Sequence, residues 1–354
     1  MGKFSNATRV VPFGLGGHGF FPGKVLNTGP PGVGPFAVVV ARTGTIQTGT
    51  TPQVSVRDQP TETWHVGNAS AFGGHGLNVI TTDGNNPGLW VANSTHGAVA
   101  GNGLSGHSTN ALGYSLDASG TEPNKAIVCC AYAGLHAVPS WCAGAGQDTL
   151  TSPDGKTWTQ HANVLPPSFG IVAIVADTVQ FLAAGQAGPG PNHAGSNDGG
   201  VTWNSLAYNC NAAYALLYDN FHTGGTNQNF STVRTSAGAP AVVNPFTGAA
   251  SEVLLPAGSG DPLGIAVNFF APPNRLYFVI ERGNVVSAST IAGLATGLVT
   301  NVSAGTLRAI CCTSGNLFIV VDDQGVAYTD FDNTAWTAED PGLGAVFLSS
   351  VASG

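Results

Sequence analysis

Carboxylate chemistry has few starting points in this chain: its glutamates are Glu62, Glu122, Glu252, Glu281 and Glu339. Cleavage of a glycosidic bond needs two carboxyl groups flanking that bond, and spacing along the chain does not test such a pairing. Glu281 stands out because it closes the alternating stretch RLYFVIERG, with Arg282 beside it. That neighbour favours a salt-linked turn over a proton donor. Metal chemistry would draw on the histidines. His18 and His75 lie in a repeated phrase, GLGGHGF and AFGGHGL, and with His65, His96 and His107 they would meet only if several loops converged. No two histidines stand at i,i+2 or i,i+4, the spacings that preassemble a metal site. GLGGHG and GPPGVG lack the GKS or GKT ending of a phosphate loop. The expectation is no catalytic centre, no metal and no cofactor, and the protein is read as not an enzyme.

Other functions are excluded by charge. Four lysines and seven arginines are scattered over 354 residues, and the formal net charge is −8. No basic stripe exists to neutralise a run of phosphates, so nucleic acid is not an expected partner. The N-terminal MGKFSNATRVVPFG has no unbroken apolar segment, and no secretory signal is expected. Residues 126–147 are the one stretch whose length invites a membrane reading, but Gly134, Pro139 and Gly144 break it, and it reads as two short strands around a turn. The cysteines include two adjacent pairs, Cys129–Cys130 and Cys311–Cys312. Neighbours on a strand point to opposite faces, so these read as small core residues, with a Cys130–Cys142 bridge the remaining alternative.

The elements that would position any site emerge from a repeat. TSPDGKTW (151–158) and GSNDGGVTW (195–203) share Ser, Asp, Gly, Thr and Trp in order, with the tryptophans 45 residues apart. That is the period of a four-stranded propeller blade. YTDFDNTAW ends at Trp336, 133 residues beyond Trp203, or three further steps. Degenerate units fill the gaps, giving seven in all, near residues 43, 94, 152, 196, 244, 287 and 330. The reading is an all-β protein, a seven-bladed β-propeller of four-stranded antiparallel blades with insertions in its first two blades. Residues 36–354 form the propeller. Residues 1–35 form an N-terminal arm or a ring-closing strand, and one terminus completes a blade begun by the other. The 50 glycines suit the many tight turns such a fold requires.

The turn at Ser196, Asp198, Gly200, Thr202 and Trp203 closely resembles the Asp-box of the sialidase-like (BNR-like) propellers. The turn at Ser152, Asp154, Gly155, Thr157 and Trp158, one residue shorter, is similar to the variant in propeller proteins of bacteriophage virions. The resemblance implies boxes on outer hairpins, away from any sugar pocket. Physically, the turn pins a loop through the Asp and anchors a Trp in the neighbouring sheet. Together with the low charge, it implies a non-enzymatic structural component of a virion, tail or capsid-associated, made in the host cytoplasm. Its role would be assembly or host attachment, its partners other virion proteins in an oligomeric or assembly-bound state, with no membrane span. The alternative is a carbohydrate-binding propeller or a glycoside hydrolase acting on surface polysaccharide. Tyr132, Trp141, Tyr214, Tyr218 and Phe221 are its candidate contacts to a host surface glycan, set against packing between blades.

Overall fold

A computed structural model describes residues 35–42, 53–58, 63–68, 70–72, 76–83, 89–94, 105–117, 126–134, 141–177, 180–186, 191–219, 228–247, 251–256, 260–268, 275–313 and 316–353. Among them, short β-branched and small-residue runs alternate with turn residues and form seven four-stranded antiparallel sheets. Blade 1 contains β1 (Pro35–Arg42), β2 (Gln53–Asp58) and β3 (Trp64–Val66). Blade 2 holds β4 (Leu77–Thr82), β5 (Trp90–Ser94), β6 (Ser105–Ser108) and β7 (Ser115–Leu116); blade 3 holds β8 (Cys129–Tyr132), β9 (Trp141–Ala145), β10 (Asp148–Ser152) and β11 (Thr159–His161). Blade 4 is β12 (Gly170–Ala176), β13 (Phe181–Gln186), β14 (His193–Ser196) and β15 (Asn204–Ser205). Blade 5 is β16 (Ala212–Asp219), β17 (Gln228–Arg234), β18 (Pro240–Val243) and β19 (Val253–Leu254). Blade 6 is β20 (Gly264–Val267), β21 (Tyr277–Ile280), β22 (Asn284–Ala288) and β23 (Leu298–Asn301). Blade 7 is β24 (Leu307–Cys312), β25 (Phe318–Asp322), β26 (Ala327–Asp330) and β27 (Thr337–Glu339), and β28 (Phe347–Ser353) returns to blade 1.

The C-terminal β28 pairs antiparallel with β1 and is the first strand of blade 1. The ring is thereby closed between chain ends, which removes a free sheet edge. The first strands pack side by side all the way round, β28 touching both β24 and β4. Seven hydrophobic clusters fill the junctions between neighbouring blades, for example Val79 and Val91 with Cys130 and Trp141 at the junction of blades 2 and 3. The adjacent cysteines divide as strand geometry requires: Cys129 faces blade 4 and Cys130 faces blade 2, while Cys311 faces blade 1 and Cys312 faces blade 6. All six are buried and unbridged, so Cys130–Cys142 is not a disulfide.

The placement of blades along the chain corrects the expectation in one respect. The turns near residues 152, 196, 244, 287 and 330 each join a third strand to a fourth, but those near 43 and 94 join a second strand to a third. The equivalent links lie between β2 and β3 in blade 1 and between β6 and β7 in blade 2, leading to Trp64 and Tyr114. The longer early blades are as expected: from the start of the second strand to the start of the next blade's first strand, blade 1 takes 42 residues and blade 2 takes 39, against 29–31 in blades 3, 4, 6 and 7, and blade 5 is also long at 36. The expected arm at 1–35 lies outside the described residues, except for Pro35.

Each tryptophan turn works as a rivet between blades. In blade 4 the Ser196 hydroxyl donates to Asp198 and accepts the Gly200 N–H, while Asp198 accepts the N–H groups of Val201 and Thr202 and the Thr202 hydroxyl. Gly200 adopts φ of +95°, and a Cβ there would lie 2.6 Å from Cys142 Sγ in blade 3. The carbonyl of Gly200 accepts both the Trp203 indole N–H and the Thr149 hydroxyl of blade 3. Blade 3 repeats the pattern from Ser152 and Asp154. Partial burial opposes ionisation of Asp154 and Asp198, yet these turn donors hold both carboxyls below the ordinary aspartate range. The Trp158 indole reaches across to the Asp117 carboxylate of blade 2, and Trp64 likewise donates to Glu339 of blade 7. Blade 2 has the same device written differently: Ser108 donates to Asn110, which accepts the N–H groups of Leu112 and Gly113, and Tyr114 takes the tryptophan's place.

A second repeated device closes the first hairpin of several blades. Asp83, Asp177, Asn268 and Thr313 follow first strands, and each donates its N–H to a carbonyl across the hairpin while its side-chain oxygen accepts the N–H of that same residue: Leu89, Gln180, Leu276 and Leu317 respectively. These side chains are engaged in holding loops together. Between blades 4 and 5, buried His193 meets the Ser231 hydroxyl at 2.8 Å. Burial disfavours its charged form and pulls its pKa down to about 4. An unfolded chain therefore binds a proton at His193 near pH 6.5 that the folded chain refuses, so its contribution is full above that pH and lost as the pH falls toward 4. His193→Gln should flatten the stability loss between pH 6.5 and 4 by about 3 kcal/mol. Denaturant melts across that range check it, and an unchanged slope would contradict the assignment.

Candidate functional site

Strand directions alternate, so the links from second to third strands and from each fourth strand into the next blade share one face of the disc, here the front face. The rivets and the stapled hairpins lie on the opposite, back face. At the front end of the first strands, one residue slips out of register in five blades: Asn78, Val172, Tyr214, Arg308 and Ser349. Each is half-buried between buried neighbours. Such a bulge turns an extra side chain out of the ladder. Four of them reach to the blade ahead through a polar or ring contact: Ser349 Oγ donates to the Leu77 carbonyl, Asn78 to Ile127, and Tyr214 to Asp261 at 2.8 Å, while the Arg308 guanidinium lies 4.6 Å from the Phe347 ring centroid. They encircle the mouth of the ring.

The charges at this mouth come from blades 5 to 7. Arg234, at the end of β17, donates Nε to Asp261 at 2.7 Å, and Arg308 donates to Asp323 at 3.2 Å. Arg282 stands exposed on the neighbouring turn. The Arg234 and Asp261 side chains are 40% and 41% exposed, so this pair is presented to solvent rather than sealed. Burial and the hydrogen bond to Asp261 push the Tyr214 hydroxyl up to about 12, keeping it a protonated donor at neutral pH. Partial burial of Asp323 is outweighed by its donors, Gln324, Thr306 and Arg308, which hold it below the usual range. A general acid or base works best with a pKa near the working pH, and these groups are poised on either side of it. The arrangement suits recognition of a complementary surface.

Of the five aromatics expected at a glycan site, the four that are described do not form one surface. Trp141 and Tyr218 are buried in the junctions of blades 2–3 and 4–5. Tyr132 is half-buried against Trp141, with ring centroids 4.7 Å apart. Tyr214 sits on the front face, whereas Tyr132 and Tyr218 end first strands on the back face. Phe221 lies outside the described residues. Glu281 is fully buried and its neighbour Arg282 exposed, so the pair does not form a surface salt-linked turn. His107 bonds Asp117 at 2.5 Å and His65 meets Thr63, while His18, His75 and His96 lie outside the described residues. Among the described residues, no three His, Cys, Asp or Glu side chains gather as metal ligands. Sequence reasoning missed Arg234, Asp261, Arg308 and Asp323. The signal was absent because a register slip is not written in residue type.

No family model matches the chain, and no curated protein is significantly similar to it. Among solved structures, the chain is similar to YCF48 bound to a D1 peptide, with 11% identity, a TM-score of 0.50, and coverage of 74% of this chain and 88% of that one. It is also similar to a putative 6-phosphogluconolactonase from Bacteroides fragilis, with 9% identity, a TM-score of 0.54, and coverage of 90% and 97%. Likeness at such identities establishes the β-propeller fold alone.

Proposed function

We propose that this protein is a non-enzymatic interaction propeller that docks a protein or peptide partner on its front face. The observation that carries the reading is the set of half-exposed, pre-paired charges at the ring mouth, Tyr214–Asp261–Arg234 and Arg308–Asp323. Pairs already held in place lose little freedom on binding and select a partner by charge pattern. The peptide bound to the similar YCF48 propeller supports this by analogy of fold only. In the setting proposed from the sequence, the partner is another virion protein of a bacteriophage tail or capsid, used in assembly or host attachment, and the low charge of the chain supports a surface covered by other chains.

The test is co-sedimentation with the native assembly, comparing wild type with an Arg234→Ala, Arg308→Ala double variant. Recovery in the particle fraction should fall at least tenfold, while the melting temperature moves by only a few degrees, since part-exposed ion pairs contribute little to stability. A chain found only as a free monomer, or a variant that assembles normally, would refute the reading.

A further inference from the structure

The blade 5–blade 6 junction is pinned by aliphatic side chains: Ile291 and Leu294 of the blade 6 turn are buried with Phe230, Val242 and Leu255 of blade 5. At other junctions the third-to-fourth-strand turn of one blade plugs into the blade before it: Ala111 packs with Val54 and Val56 of blade 1, Gly200 against Cys142, and Asn333 donates to Ser287 and the Leu298 carbonyl of blade 6. In blade 6 this turn carries neither an aromatic anchor nor a Ser-Asp pair. It forms a single 3-10 turn, Ala292–Thr296, that rests on β19. A cavity of about 530 Å³ is left on the back face between the two blades.

From this cavity we infer a second binding site, built for a neutral oligosaccharide. Among the described residues its polar lining is Gln228, Asn244, Thr247, Ser251 and Thr290, with Phe230, Val253 and Ile291 as apolar wall, and none of these side chains is ionisable. Amide and hydroxyl groups can each donate to and accept from sugar hydroxyls. Asn244 Oδ1 accepts the Phe246 N–H, a bond that does not use the amide NH2, and Thr290 Oγ1 accepts the Gly293 N–H, a bond that does not use the hydroxyl proton. Phe246, next to Thr247 and 46% exposed, supplies a ring at the rim for the C–H face of a sugar. The size lies within the range of small-molecule sites. An anionic ligand would find no counter-charge among the described lining residues, which sets the site apart from the arginine-bearing front face.

The full chain should be titrated with cellotriose, maltotriose and chitotriose by saturation-transfer NMR and calorimetry, alongside a sialylated trisaccharide and an uncharged peptide. At least one neutral sugar should bind, and Phe246→Ala and Asn244→Ala should each weaken it about tenfold or more with the melting temperature unchanged. The Arg234→Ala, Arg308→Ala variant should bind the sugar normally, so failure here is distinguishable from failure of the front-face reading. Absence of neutral-sugar binding, preference for the sialylated sugar or the peptide, or insensitivity to both pocket substitutions would overturn the inference.

Discussion

Trp158→Ala is expected to lower the free energy of unfolding by about 3–5 kcal/mol, the cost of emptying a buried aromatic site. Trp158 is 4% exposed and shares the junction of blades 2 and 3 with Val79, Val91 and Trp141. The ring does more than fill space, because its indole N–H donates at 3.1 Å to Asp117, whose carboxyl has no exposed surface. Burial already pushes the Asp117 pKa upward, opposed by its bonds to His107, Ser105 and Trp158. Trp158→Phe retains most of the packing but strands that acceptor, and should cost about 1–3 kcal/mol. The penalty of the phenylalanine variant should shrink as acid protonates Asp117, whereas that of the alanine variant should persist. Denaturant melts stepped downward from pH 7 separate the two contributions. A loss under about 1 kcal/mol for Trp158→Ala would show that the turn does not hold the blades together.

How much of this was legible beforehand depended on how literally each device was spelled. The turns at Ser152 and Ser196 were readable because every hydrogen-bonding position carries its usual residue. The blade 2 turn was not, because Asn110 stands for aspartate and Tyr114 for tryptophan. An amide oxygen accepts from Leu112 and Gly113 as a carboxylate would, so chemistry was conserved where identity was lost. The adjacent cysteines were placed correctly because strand alternation leaves no choice. The aromatic candidates failed for a related reason: Trp141 and Tyr218 flank turns in sequence, yet a propeller buries both faces of each blade against neighbours. The mouth of the ring depends on bulges at Tyr214 and Arg308, and the back-face cavity on a blade 6 turn held by Ile291 and Leu294 in place of a Ser-Asp pair. Neither leaves a motif to read.

Gly325→Ala is expected to cost about 2–5 kcal/mol, combining the strain of a left-handed backbone with overpacking. Gly325 lies on the β25–β26 hairpin at φ of +92°, and a Cβ there would stand 2.1 Å from the Gly344 carbonyl oxygen and 3.0 Å from the Val346 nitrogen. Both obstacles are main chain, so no rotamer change relieves them. The hairpin itself is fixed from below, since Asp322 Oδ1 accepts the N–H groups of Gln324 and Val326 and its other oxygen accepts the Ser303 and Tyr328 hydroxyls. The strain therefore passes into the 340–346 segment that delivers β28 to blade 1, the strand on which ring closure depends. Gly344→Ala is the control: it shares a positive φ but has open space at its Cβ position, so it should show the backbone cost of about 1–2 kcal/mol without the clash. Hydrogen exchange should show faster exchange in β28 and β1 for Gly325→Ala than for the control. Equal destabilisation by the two substitutions, or unchanged protection of β28, would mean that the closing strand is not coupled to this hairpin.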